Sequence, residues 1–423
     1  MIRELRIRFN REYTDEKYAA LLQLLDDRSE AKVEFRICET PVFVPATLLQ
    51  RMAAEGAFLA SRLIGDTNYL SAARSAIPQG YCVRNETRHP HFLTADFALV
   101  RDEGGALVPR LVEIQAFPSV FGYQALLCSA YREIYGLSDT LGTFLSELNE
   151  ASYWDLLRRT VLARHDPENV VLTEVDPWHQ KTLPDFTCTA KRLGISIVDI
   201  RELRAIGNKL HYANSSGRLV PIHRIYNRAI ADELIARDIR LPFDLTLSWD
   251  VEWAGHPNWY FLISKYSVPW LSDPGEPHHV VPPAVFLSDF LEGRGRVQLA
   301  AAGVPLPADS GADTVYTDLL LKPLFSFAGK GIEFEPTQMQ LEAVPIGRRA
   351  DYLLQQRMRF VPTIDTPHGL TQAEFRILYM WPDGERLTPA LSLVRLGRGK
   401  MMGVDHNKSQ AWVGASAGFF LRQ

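Results

Sequence analysis

A mixed α/β (α+β) fold with more than one sheet is what this 423-residue sequence predicts. Three observations carry the prediction. Leu111-Val112-Glu113-Ile114-Gln115 alternates apolar and polar side chains, as a half-buried strand does, and runs into a Pro118-Ser119-x-x-Gly122 turn. Between residues 169 and 229, short apolar runs alternate with a helical stretch, the pattern of a small parallel α/β unit. From Thr314 onward strand patterns dominate again, over Tyr316 to Lys322, Tyr352 to Gln356, Phe375 to Tyr379 and Leu391 to Leu396.

In chain order, residues 12–75 read as mainly helical. Leu21, Leu22, Leu24 and Leu25 carry one helical pattern and Leu48 to Ile64 another, with an extended Phe35 to Val44 between them. Tyr81 to Gln124 reads as strands, with Phe92 to Val100 and Leu111 to Gln115 facing each other across the turn Asp102-Glu103-Gly104-Gly105. Ala125 to Ala163 returns to helix. Asn169 to Thr173, Ile195 to Asp199 and Val220 to Tyr226 are short strands, with helices over Leu183 to Leu193 and from Ala229. Proline clusters at 269–283 and 305–307 punctuate the mixed stretch from 240 to 310. Three units result: a helical region with the strand hairpin (1–164), a small α/β unit (165–240) and a strand-rich half (241–423).

Composition is that of an ordinary globular chain, 46% hydrophobic and 23% charged, with net charge −4. No basic field argues for nucleic acid. No stretch reaches the roughly 18 apolar residues that a membrane span needs, and the N-terminus lacks the apolar core of a signal peptide. Cys38, Cys82, Cys128 and Cys188 lack zinc spacing and read as buried reduced thiols, so the expected setting is the cytoplasm. The oligomeric state stays open, a homodimer included.

The candidate chemistry lies in two places. On one strand face, Glu113 and Gln115 stand about 7 Å apart and can share a hard cation. A hairpin pairing adds Asp96 to that set; a half-exposed hairpin facing water is the competing account. Near the other end, Leu319-Leu320-Leu321-Lys322-Pro323 is a buried strand ending in lysine. Ser326-Phe327-Ala328-Gly329-Lys330-Gly331 comes next, a small loop whose backbone N–H groups suit phosphate. It is not a Walker loop, and Gly-Lys-Gly also occurs in plain hairpin turns. Gln355 and Gln356, on a further strand, suit the edge of an adenine ring. Arg224 and Arg228 end a parallel-type strand, where ligands sit in α/β units; a solvated arginine pair is the alternative. His256, His278 and His279 read as surface-loop residues, and Asn407 as a polar residue between two late strands.

The order of these parts resembles the ATP-grasp superfamily in circularly permuted form, of the glutathione synthetase and glutathionylspermidine synthetase type. Leu111 to Gly122 is similar to that family's metal strand with its Ser-x-x-Gly follow-on, and Asp96 stands where the family carries an upstream aspartate. Val220 to Arg228 resembles the strand whose terminal arginine faces substrate. Ser264-Lys265 and Lys322 resemble the two nucleotide lysines, and Gln355-Gln356 the adenine hinge. Leu391 to Arg395, with Gly414 to Gly418, resembles the arginine strand and a small-residue loop closing over the product.

The resemblance implies an ATP- and Mg²⁺-dependent carboxylate–amine ligase acting through an acyl phosphate, with small amino-acid or peptide substrates. It assigns Mg²⁺ to Asp96, Glu113 and Gln115. ATP falls to Lys265, Lys322, Ser326, Gly329, Lys330, Gly331, Gln355 and Gln356, and substrate or phosphoryl charge to Arg228 and Arg395. A phosphoryl-transfer enzyme and a nucleotide-binding protein without ligase activity remain alternatives. Two departures stand out: glutamine replaces the family asparagine at 115, and Thr94 stands where relatives carry an arginine two residues before the aspartate.

Overall fold

The computed structural model describes residues 1–273, 275, 278–308, 311–325, 329–403, 407 and 409–422. It is a mixed α/β fold built on a seven-stranded central sheet. The predicted hairpin forms Phe92–Arg101 and Leu107–Gln115, with Asp96 opposite Glu113 and Thr94 opposite Gln115. Gln372–Met380 pairs antiparallel with the hairpin's first strand, Thr388–Gly397 with Gln372–Met380, and Gly414–Leu421 with Thr388–Gly397. Val42–Phe43 closes one edge, running parallel to Gly414–Leu421.

Alternation sorts this sheet's residues between two faces. Ala95, Phe97, Ile114, Phe375, Ile377 and Val394 pack under the helix Ala46–Gly65 in one core. On the opposite face, Phe92, Leu378, Leu391 and Leu393 pack against the helix Glu150–Leu162 and the small α/β unit. The polar part of that second face, further along the same strands, remains for chemistry.

The small unit is the parallel sheet that the sequence predicts. Its order runs Glu252–Ala254, Arg224–Asn227, Val170–Glu174, Ser196–Asp199, and the helix Leu183–Leu193 comes after Val170–Glu174 in the chain. The predicted strand Val220 to Tyr226 is two strands, because Pro221 ends Leu219–Pro221 in a separate three-stranded meander before Arg224–Asn227 begins. A fourth sheet, also of four strands, holds Ala284–Phe286, Tyr352–Gln356, Leu319–Pro323 and Glu333–Phe334 in that order, all antiparallel.

Other boundaries differ from the sequence expectation. The helix expected from Ala125 begins at Phe121, directly after the turn. Gly414 to Gly418, expected as a closing loop, is the start of the last strand, where glycine and alanine let neighbours approach: a side chain at Gly418 would collide with Ser392. All four thiols are free, but only Cys38 and Cys128 are buried, and Cys82 is exposed. No helix among the described residues is long and apolar enough to cross a membrane.

Candidate active site

Antiparallel register assembles the site on four adjacent strands. Glu113, Asp96 and Arg376 stand side by side, because Asp96 is opposite both Glu113 and Arg376. Across the next strand pair Glu374 faces Arg395. Asp96 is 1% exposed, and both its oxygens are taken. Arg376 donates Nε to Oδ1 and Nη2 to Oδ2, each at 2.7 Å, and Arg395 donates Nη2 to Oδ2. Arg395 also pairs with Glu374. The two guanidiniums hold the Asp96 carboxyl below its usual range against the effect of burial. Glu374, buried in the same cluster, is raised, because desolvation outweighs the attraction of Arg395.

Glu113 is the partly open acid of this group. Its carboxylate lies 3.6 Å from Arg376 Nη2 and 3.8 Å from Lys265 Nζ. Backbone pairing places Lys265: Ala116, just past the strand, donates its N–H to Ile263 O at 3.0 Å. The short helix Trp259–Leu262 leads into that contact, and Lys265 itself is 5% exposed. Nearby, Tyr260 donates its hydroxyl to Asp232 at 2.6 Å.

Lys322 arrives from the other sheet. It is 5% exposed and donates Nζ to Gln355 Oε1 at 2.6 Å. Burial pushes its pKa down from 10.5 to about 8; Glu113 and Glu374 pull it up and Lys265 pushes it down further. Gln355 Nε2 is buried with no hydrogen-bond partner among the described residues. Gln356 lies at the end of the same strand, opposite Leu319. Gly329 and Gly331, at φ +72° and +77°, adopt the left-handed conformation that glycine supplies, with exposed Lys330 between them. Ser326 lies outside the described residues.

So the strands bring together Asp96, Glu113, Glu374, Arg376, Arg395, Lys265, Lys322 and Gln355, with Gln115 opposite Thr94 beside them. The sequence makes Asp96 a metal ligand; in the structure its oxygens anchor two arginines instead. Arg228 is not open to a ligand. It is 3% exposed, paired with Asp185 and stacked over Phe186 at 4.8 Å, and Asp185 also accepts from Tyr123 N–H at 3.0 Å. It locks the start of a helix instead. Asn407 is likewise internal, donating Nδ2 to Met401 O at 2.9 Å. His256, expected on the surface, is 1% exposed with a pKa lowered to about 4 by burial, and His278 and His279 contact Glu55.

Arg376 is the residue that sequence reasoning undervalues. It stands on the neighbouring strand opposite Asp96 and holds both carboxylate oxygens of that residue. Elsewhere, a cleft of about 560 Å³ runs between Arg224, Glu252 and Asp383. Its charges pair among themselves, with Arg224 holding Glu252 at 2.8 Å and Asp383 at 3.1 Å.

Among solved structures, the chain is similar to a glutathione synthetase-like effector from Globodera pallida. The TM-score is 0.58 at 10% identity, over 96% of each chain. The chain has a glutathione synthetase-like fold of the ATP-grasp type. A candidate γ-glutamylcysteine synthetase from Methylobacillus flagellatus KT aligns over 85% of each chain at 12% identity with a TM-score of 0.37, too low to bear on the fold. No protein-family model and no curated protein matches the chain. Lys322, from the second sheet, lies close enough to Glu113 and Glu374 on the central sheet, and to Lys265, to interact electrostatically with all three.

Proposed function

We propose that this chain is an ATP- and Mg²⁺-dependent carboxylate–amine ligase. It acts through an acyl phosphate on substrates of amino-acid or peptide type, and its ATP-grasp elements run in a circularly permuted order. The observation that carries the reading is the pairing of two buried ammonium groups, Lys265 and Lys322, close enough that one lowers the other's pKa. Glu113, 3.8 Å from Lys265 Nζ, offsets part of this buried positive charge, and a polyphosphate is an anion that would offset more of it. The unpartnered Gln355 amide beside Lys322 supplies a donor for the same ligand.

Phosphoryl transfer is mostly positioning and charge neutralisation. Lys265 and Lys322 bind the phosphate oxygens. Arg376 and Arg395, fixed by Asp96 and Glu374, lend their positive charge to the developing phosphoryl group or to a substrate carboxylate. The turn through Gly329 and Gly331 closes against water, which an acyl phosphate cannot tolerate. Mg²⁺ takes few protein ligands, sharing its shell with phosphates and water. Among the described residues no group of three or more His, Cys, Asp or Glu side chains is set to hold a metal. Glu113 fits that sparse role, with Gln115 beside it. When bound, Mg²⁺ would neutralise and align the β- and γ-phosphates.

Incubation with ATP, Mg²⁺ and pools of amino acids and amines tests the proposal. Amine-dependent release of ADP and phosphate is expected, and Glu113→Ala should abolish it while the far-UV spectrum stays unchanged. Activity within a few-fold of wild type in that variant would remove the metal assignment, and a stable phosphorylated product would mean phosphoryl transfer to a different acceptor. A nucleotide-binding protein without turnover is the second reading, favoured by the saturation of Asp96 with arginine. Tight ATP binding with no turnover across a broad panel would establish it.

A further inference from the structure

A second cavity lies apart from the proposed site, beneath the N-terminal helix Arg3–Glu12, to which the proposed reaction gives no role. It encloses about 350 Å³ between that helix, the hairpin ends at Arg101 and Leu107, and the segment 361–365. Arg6 lines it and is only 5% exposed. Its Nη1 donates to Thr40 Oγ1 at 2.5 Å and Pro41 O at 3.1 Å, and its guanidinium lies 4.7 Å from the Phe9 ring. Its Nε and Nη2 have no acceptor among the described residues. The hydroxyl of Thr363, also on the wall, is buried and unpartnered too.

Buried charged N–H groups without acceptors cost more than neutral ones, so they mark a place where an acceptor belongs. The charges of the lining point the same way: Arg3, Arg6 and Arg101 stand against the single carboxylate of Asp365. Ile7, Leu107, Val361 and Pro362 make the rest of the wall apolar. We infer that this cavity binds a small oxyanion, a carboxylate or phosphoryl group on a short apolar body. The segment that closes it joins the strand Tyr352–Gln356 to Gln372–Met380, and Val361 N–H bonds Leu99 O at 2.8 Å. A ligand here sits at the foot of the link between the sheet of Lys322 and the central sheet. The inference does not depend on the proposed ligase activity.

The test is titration calorimetry on the full chain at constant ionic strength, with inorganic phosphate and with butyrate as separate probes. Saturable binding of phosphate alone identifies a phosphoryl ligand, and of butyrate alone a carboxylate. The double variant Arg3→Ala/Arg101→Ala alters exposed side chains and is expected to weaken binding about tenfold or more. Asp365→Asn should tighten it several-fold, and Thr363→Val should weaken it without disturbing Arg6. Lys322→Ala should leave it unchanged, which separates this site from phosphate binding at the proposed site. No saturation by either probe, loss of the signal in Lys322→Ala, or indifference to all three cavity variants would overturn the inference.

Discussion

At Lys322, burial and charge oppose each other, and pH reads the balance. A lysine whose folded pKa is about 8, against 10.5 when free, binds fewer protons folded than unfolded between those values. Stability from this group therefore rises with pH across that window and is absent below it. Nucleotide binding has the opposite sign, because phosphate favours the ammonium form. ATP affinity should fall above pH 8, with proton uptake on binding measurable by calorimetry in buffers of different ionisation enthalpy. Lys322→Met should weaken ATP binding and flatten that profile; an unchanged affinity would remove Lys322 from the phosphate site. Asp96 carries a structural prediction. Replacing it with asparagine breaks a buried two-arginine pairing, and loss of about 3 kcal/mol is expected in urea unfolding. Wild-type stability would mean that Arg376 and Arg395 find other partners.

Among elements, the turn at Gly329 and Gly331 is one that glycine makes possible. Gly331 sits at φ +77°, where a side chain strains the backbone by about 1–2 kcal/mol, and a side chain at Gly329 would collide with Met401. Gly331→Ala is expected to raise the KM for ATP several-fold while leaving the thermal midpoint within a few degrees. Equal kinetics would show that the turn does not close over nucleotide. The sequence makes some elements plain and hides others, for physical reasons. Strict alternation with an Asp-Glu-Gly-Gly turn marks the hairpin, and glycine at 194 ends the helix Leu183–Leu193 where expected. Strand order is another matter. Asp96 and Arg376 are 280 residues apart, and nothing local indicates that their strands adjoin. In the fold, Arg376 completes Asp96 by bonding both of its carboxylate oxygens. Burial is equally hidden: Arg228 and His256 carry polar chemistry that a sequence places at the surface, yet local partners take both inside.

On the scale of the whole molecule, the N-terminal region is part of the central architecture. Phe9, Leu21, Leu25 and Phe43 share one core with Tyr131, Trp412 and Phe419, and Val42–Phe43 covers the edge of the last strand. Deleting residues 1–45 would expose that core and an unpaired strand edge. Such a truncation is expected to aggregate or lose its cooperative thermal transition, and a well-folded truncated chain would show the region to be dispensable. The same pairing constrains how the protein forms. The sheet of Lys322 draws all four strands from residues 284–356, whereas the central sheet joins residue 42 to residue 418. Loop closure over short separations is fast and over long ones slow. Pulse-labelling hydrogen exchange during refolding should find Leu319–Pro323 and Tyr352–Gln356 protected before Gly414–Leu421. If the proposed function holds, the wall of the site that carries Lys322 then exists before the wall that carries Arg376 and Arg395, and nucleotide present early would have only one wall to hold it.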